Sequence, residues 1–168
     1  MPLPRPLFVA ATRQHVGKTT VSLALMSGLK KRFDKVGFIK PVGQQHIQTT
    51  DEETGKTIRV DKDCTVMKEY FELNHIGYST MSPVIIPKGY TSRYIDGDIT
   101  REEQVELIRK AQATQEAASD FLLVEGTGHV GVGSVVEMSN ARTAALMGAD
   151  VVLAVSYTHL TLPTILLV

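Results

Sequence analysis

Short apolar runs alternate along this chain with stretches whose apolar positions recur at helical spacing. Leu7, Phe8, Val9, Ala10 and Ala11 form one such run, which enters a polar, glycine-containing turn and then a helical pattern. A strand buried on both faces of a parallel sheet reads this way. The helical pattern over 18–33 sets Val21, Leu23, Leu25, Met26 and Leu29 on a broad apolar face and ends in Lys30, Lys31 and Arg32, cations that suit the negative end of a helix dipole. A second strand is predicted over 37–39, stopped at Lys40 and Pro41 because proline supplies no ladder donor. Residues 121–125 and 151–154 read as two more strands. Helices are predicted over 62–73, with Val66, Met67, Tyr70 and Phe71 as the buried stripe, over 100–119, where Thr100 and Glu103 have capping-box spacing, and over 140–147. Strands alternating with helices predict an α/β fold, a parallel sheet with helices on both faces and right-handed crossovers.

Two internal segments escape this rhythm. Residues 44–56 are polar, rich in threonine and acid and without a sustained period, and predict a mobile loop. Residues 78–98 carry turn signals at Ser82 and Pro83, at Pro87 to Gly89 and at Asp96 and Gly97, around the apolar Val84, Ile85 and Ile86. They predict a long irregular insertion, of the kind that serves function more often than not.

Composition narrows the class. The chain has 168 residues, 43% hydrophobic, with 18 basic residues against 18 acidic ones. That is one ordinary domain, long enough to bury a core without disulfides or a structural metal. The balanced charge argues against a large basic face for nucleic acid or anionic lipid. No stretch reaches the roughly 18 to 20 apolar residues of a membrane span, and the start has no apolar signal core. Cys64 is the single cysteine, which excludes an internal disulfide framework and favours a reducing, cytoplasmic setting. His15, His46, His75 and His129 have no metal-ligand spacing, so zinc is not expected; His129, in the loop after Glu125, is the histidine best placed for a ligand.

The chemistry concentrates where the first strand meets the first helix. Thr12, Arg13, Gln14, His15, Val16, Gly17, Lys18, Thr19 and Thr20 form a P-loop with a variant start, since Thr12 stands where the common pattern has its first glycine. Successive backbone N–H groups and the positive end of the helix hold phosphates. Gly17 permits close approach, Lys18 reaches the terminal phosphates, and the Thr19 hydroxyl ligates magnesium. Lys40 and Glu125 fall at the carboxyl ends of two further strands, where ligands collect in such sheets. A carboxylate like Glu125, ending an apolar strand, is hard to bury without a cation or donor. Arg93 and Arg101 could reach phosphate, although isolated loop arginines are usually solvated surface.

Three motifs in order carry a family resemblance. The loop is similar to the longer form Gly-Thr-x-x-x-Val-Gly-Lys-Thr of dethiobiotin synthetases, with Ala11 in the place of the first glycine. Phe38, Ile39, Lys40, Pro41 and Val42 resemble that family's Tyr-Lys-Pro-Val, and Val124, Glu125, Gly126, Thr127 and Gly128 its Val-Glu-Gly-Ala-Gly. The resemblance covers residues 7–154 and implies a dethiobiotin synthetase-like P-loop NTPase fold binding ATP and Mg2+. It makes Lys40 the group that stabilises the transferred phosphate, beside Lys18, and Glu125 a metal-shell carboxylate with Thr19 and Asp63. Asp61 is a rival to Asp63, and either aspartate could instead be a helix N-terminal charge.

The departures bear on the acceptor. Gly43 and Gln44 stand where the family has a small residue and a serine, and His129 replaces a glycine of its turn. The segment 81–91 looks closer to a related domain associated with phosphotransacetylases. Two functions are therefore expected to compete: phosphoryl transfer that activates a small carboxylate or carbamate, and nucleotide sensing by a regulatory module of a larger enzyme. Residues 155–164 carry no charge, no helical period and no turn logic, and resemble one frame of a transposase-type sequencing adapter. The expectation is a nucleotide-binding domain over 1–155, incomplete at its C-terminus, with an artefactual tail over 156–168. A homodimer and a missing C-terminal domain are compatible with this reading.

Overall fold

The computed structural model describes residues 4–52, 54–128 and 133–155. The proposed tail and His129 lie outside them. Four strands form a parallel sheet: β1 (Leu7–Ala11), β2 (Val36–Ile39), and two that return from the second half of the chain, Phe121–Glu125 and Asp150–Ala154. Numbered in chain order with the short strands between them, the last two are β7 and β8, and the sheet order is β2-β7-β1-β8. The helices are α1 (Lys18–Leu29), α2 (Lys62–Phe71), α3 (Tyr78–Met81), α4 (Tyr90–Ile95), α5 (Arg101–Ala118) and α6 (Asn140–Leu146).

Alternation along the inner strands builds a core on each face. Phe8, Ala10, Leu122 and Val124 join Ile108 and Ala111 of α5 and Ala144 of α6 on one face. Val9, Leu123, Val36 and Phe38 join Met26 of α1 and Cys64 and Met67 of α2 on the other. The four predicted strands and the parallel α/β fold are thus present. Helix α1 is shorter than expected and closes on Lys30 as its C-cap; Met26 is its one apolar residue in full burial, while Val21, Leu23, Leu25 and Leu29 pack partly buried. Helix α5 starts at the predicted capping box, with the Thr100 side chain accepting from the Glu103 N–H and the Glu103 carboxylate accepting from the Thr100 N–H.

Three expectations need correction. The segment predicted as a mobile loop holds an antiparallel hairpin of β4 (His46–Thr50) and β5 (Thr57–Asp61), with Ile47 opposite Val60 and Thr49 opposite Ile58. Its turn is tied by Asp51, which accepts from the Thr54 N–H and hydroxyl. The buried stripe of α2 is Cys64, Thr65 and Met67, with Phe71 partly buried, whereas Val66 and Tyr70 are exposed. The segment predicted as irregular contains α3, α4 and the strand β6 (Val84–Ile85), which pairs in parallel with β3 (Val42–Gly43).

Candidate phosphate site

Gly17, the N-cap of α1, has φ +86°, and His15 two residues earlier has φ +60°. Glycine tolerates the first value freely. No side chain caps the helix start, and its first turn holds no acid. The N–H groups that begin a helix lack acceptors within it and carry the positive end of its dipole, so this turn is open to an anion. Beside it lies a cleft of about 410 Å³, lined by Arg13, Gln14, His15, Gly17, Lys18, Thr19, Thr20, Lys40, Val42, Gln44, Gln45, Asp61, Lys62, Asp63, Thr127 and Gly128. The structure therefore gathers most of the predicted phosphate loop on one wall. Val16 is half-buried and Thr12 turns a buried hydroxyl inward, and neither lines the cleft.

Under this cleft five ionisable side chains interlock. Lys18 Nζ donates to Glu125 Oε1 at 2.7 Å, and the Thr19 hydroxyl lies 3.4 Å from the same oxygen. Lys40 Nζ is 3.8 Å from that oxygen, donates to Asp61 Oδ1 at 2.8 Å, and also donates to Asp63. Glu125 and Asp61 are fully buried, and the two lysines are nearly so. Burial alone would draw the Lys40 ammonium down, but the charges of Asp61, Glu125 and Asp63 outweigh it and hold the group above the ordinary lysine range. Burial likewise opposes charge on Asp63, yet Lys40, by charge and hydrogen bond, keeps that carboxyl below its usual range. Neighbouring Cys64, whose Sγ donates to the Met81 carbonyl at 3.3 Å, is pushed up by burial and then by Asp61, so it stays a thiol.

The two rival aspartates have different surroundings. Asp61 caps α2 and has both carboxylate oxygens engaged: Oδ1 accepts from Lys40 and from the Asp63 N–H, and Oδ2 from the N–H groups of Gln44 and Gln45. Asp63 is partly exposed and pairs with Lys40. Magnesium, which the family resemblance implies, can be tested against these groups. Glu125 Oε2 is buried without a hydrogen-bond partner, and Glu125, Thr19 and Asp63 offer the hard oxygen donors that Mg2+ takes beside phosphate oxygens. The residues fit the ion. Among the described residues no three His, Cys, Asp or Glu side chains are placed to hold a metal by themselves.

Sequence reasoning missed Asn140. Its Oδ1 accepts from the Thr127 N–H and hydroxyl at 2.9 and 3.0 Å, and its Nδ2 donates to the Thr127 carbonyl at 3.3 Å, which clamps the loop after Glu125. The sequence placed it only as the first residue of the helix predicted over 140–147. Arg93 lies 3.9 Å from Asp98 and Arg101 3.9 Å from Glu102; neither lines the cleft, nor do His46 and His75.

A helix start left open to an anion, at the carboxyl edge of a parallel sheet, makes this a P-loop nucleotide-binding domain. Residues 5–168 match the family model described as AAA domain, and the chain belongs to that family. It is 30% identical over 150 residues to the ATP-dependent dethiobiotin synthetase of Methanocaldococcus jannaschii, covering 87% of this chain and 63% of the relative. It is 27% identical over 157 residues to the phosphate acetyltransferase of Deinococcus radiodurans, covering 94% of this chain and 20% of the relative. The resemblance to dethiobiotin synthetase-like proteins holds, and the chain spans less than two thirds of either relative.

Proposed function

We propose that this domain binds ATP with Mg2+ and activates a small carboxylate or carbamate by phosphoryl transfer. One observation carries the reading: Lys18 of the phosphate loop and Lys40, from a different strand end, approach the same Glu125 oxygen at 2.7 and 3.8 Å. Two ammonium groups this close, set under an anion-binding turn, suit one terminal phosphate and the charge that develops on it during transfer. In this assignment Lys18 leaves Glu125 for the β- and γ-phosphates, and Lys40 neutralises the migrating phosphoryl group. Thr19, Asp63 and Glu125 would hold Mg2+, which when bound neutralises phosphate charge and orients the transferred group. Gln44, Gln45 and Lys62, which line the same cleft, would border the acceptor in this assignment. The free, buried Cys64 accords with a cytoplasmic setting.

The test is turnover of ATP with a panel of carboxylates and amines, trapping acyl phosphate as hydroxamate. Acceptor-dependent ADP release is expected. Lys40→Ala should cut it by roughly 100-fold while ATP affinity stays within a few-fold, since one preorganised charge is worth about 3 kcal/mol in the transition state. Binding of ATP without turnover on any acceptor would move the assignment to a regulatory module. The match to an acetyltransferase of which this region covers 20% favours that second reading, because that protein's name describes another chemistry.

A further inference from the structure

We propose that Asp61 is a positioning residue that locks Lys40 to the acceptor wall of the cleft, so that phosphoryl-side charge and acceptor are held in one frame; this rests on the phosphoryl-transfer reading above. One oxygen of its carboxylate accepts from Lys40 Nζ at 2.8 Å and the Asp63 N–H at 3.1 Å, the other from the N–H groups of Gln44 at 3.0 Å and Gln45 at 3.3 Å. Asp61 is itself fixed from behind. Its N–H donates to Ser82 Oγ at 3.2 Å, it pairs with His46 at the base of the hairpin, and the Lys62 N–H beside it donates to the Gln45 carbonyl at 2.8 Å. Gly43 completes the fit, since a Cβ there would stand 2.9 Å from the Asp61 Oδ2 and 2.8 Å from Ile85 Cδ1.

The geometry separates the two aspartates by role. With four donors already satisfied, Asp61 has no lone pair turned to a metal or phosphate, whereas Asp63 can exchange Lys40 for a ligand. All four neighbours of the Asp61 carboxylate are donors, so an asparagine must set its NH₂ against two of them. Asparagine caps helices as well as aspartate does, provided its oxygen faces the helix. In Asp61→Asn the oxygen therefore stays with the Asp63 N–H and Lys40, and the NH₂ confronts Gln44 and Gln45. The substitution should release the acceptor wall while α2 remains intact.

Amide hydrogen exchange reads this directly in the protein as it stands. In Asp61→Asn the Gln44 and Gln45 amides should exchange roughly 10-fold faster or more, the effect of losing a hydrogen bond to a charged acceptor, while in Asp63→Asn they should keep their wild-type rates. If Asp61→Asn does not fold, Gly43→Ala presses on the same carboxylate oxygen without altering charge and should speed the same two amides. In the acceptor assay, Asp61→Asn should lower kcat roughly 10- to 100-fold through misplacement of the reacting groups, with KM for ATP within a few-fold. Unchanged exchange at Gln44 and Gln45, or KM for ATP rising in step with the loss of kcat, would overturn the proposal. If the wild type turns over no acceptor, the phosphoryl-transfer reading fails separately, and exchange alone decides whether Asp61 holds the wall.

Discussion

Lys18 and Lys40 carry the same charge, yet their surroundings assign them different consequences. Lys18 faces one carboxylate, Glu125, which Lys40 also approaches. Lys40 faces three, Asp61, Asp63 and Glu125, two of them fully buried. Removing one partner of a buried ion pair leaves an uncompensated charge, which costs about 3 to 5 kcal/mol. Lys40→Ala should therefore lose stability on that order, and Lys18→Ala should lose clearly less because Glu125 keeps Lys40. Urea titrations of the two variants measure the difference, and an equal loss would mean that the site is wetter than its burial implies. Motif spacing singled out Lys18, Lys40 and Glu125, since each closes a strand or opens a helix, whereas Asp63 came only through the family resemblance. Asp61 could be read only as a rival to Asp63, and Asn140 only as a helix start, because both act on backbone N–H groups of loops whose course no side-chain pattern encodes.

At the scale of elements, legibility followed apolar runs and not burial, since β8 was read from its run although four of its five residues are exposed. Strands β1, β2 and β7 and helix α5 showed themselves by continuous apolar runs or by a capping box. The β4–β5 hairpin did not, since its cross-strand neighbours are largely threonine, glutamine and arginine, and Ile47 is exposed although it sits opposite Val60. Polar alternation gives little contrast to a period-two search. Helix α2 was placed but turned wrongly, because small Cys64 and Thr65 face the core where bulkier Val66 and Tyr70 looked more eligible. The capping box of α5 lends itself to measurement. Thr100→Ala should cost about 1 kcal/mol, the usual worth of a threonine cap. Glu103, held below the ordinary glutamate range by the Thr100 N–H and then by the Thr100 side chain, adds a pH dependence. With a folded value below the unfolded one, its contribution is present above the unfolded pKa and is lost as pH falls through the folded pKa. Thermal melts from pH 7 down to pH 3 should thus show the gap between wild type and Glu103→Ala narrowing at the acid end. A gap constant over that range would place the stabilisation in the threonine hydroxyl alone.

Across the whole molecule, the site joins elements that lie far apart in the chain. Lys18 belongs to α1, Glu125 to β7, Lys40 follows β2, and Asp61 and Asp63 span the junction of β5 and α2. A ligand that seats on Lys18 and Lys40 therefore draws on both cores, since α1 and α2 pack on one face while β7 contributes side chains to each. Such a ligand binds the folded chain and finds no comparable cradle in the unfolded one. Linkage then sets the size of the effect: about 2.7 kcal/mol at a free concentration 100 times Kd. For a chain of this length a kilocalorie moves the melting point by roughly 2 to 4 °C, so saturating Mg-ATP should raise Tm by roughly 5 to 10 °C. Part of the gain is offset, because Lys18 must release Glu125 before it can reach a phosphate. Lys40 alone then faces Glu125, whose second oxygen is open to magnesium, and ATP supplied with EDTA should accordingly give a smaller shift than ATP with magnesium. In Lys18→Ala the shift should vanish, since the cradle loses the cation that meets the terminal phosphates. Differential scanning fluorimetry on wild type and variant, with ATP, Mg-ATP and magnesium alone, separates these cases. A shift in Lys18→Ala equal to that of the wild type would show that the nucleotide sits elsewhere on the molecule.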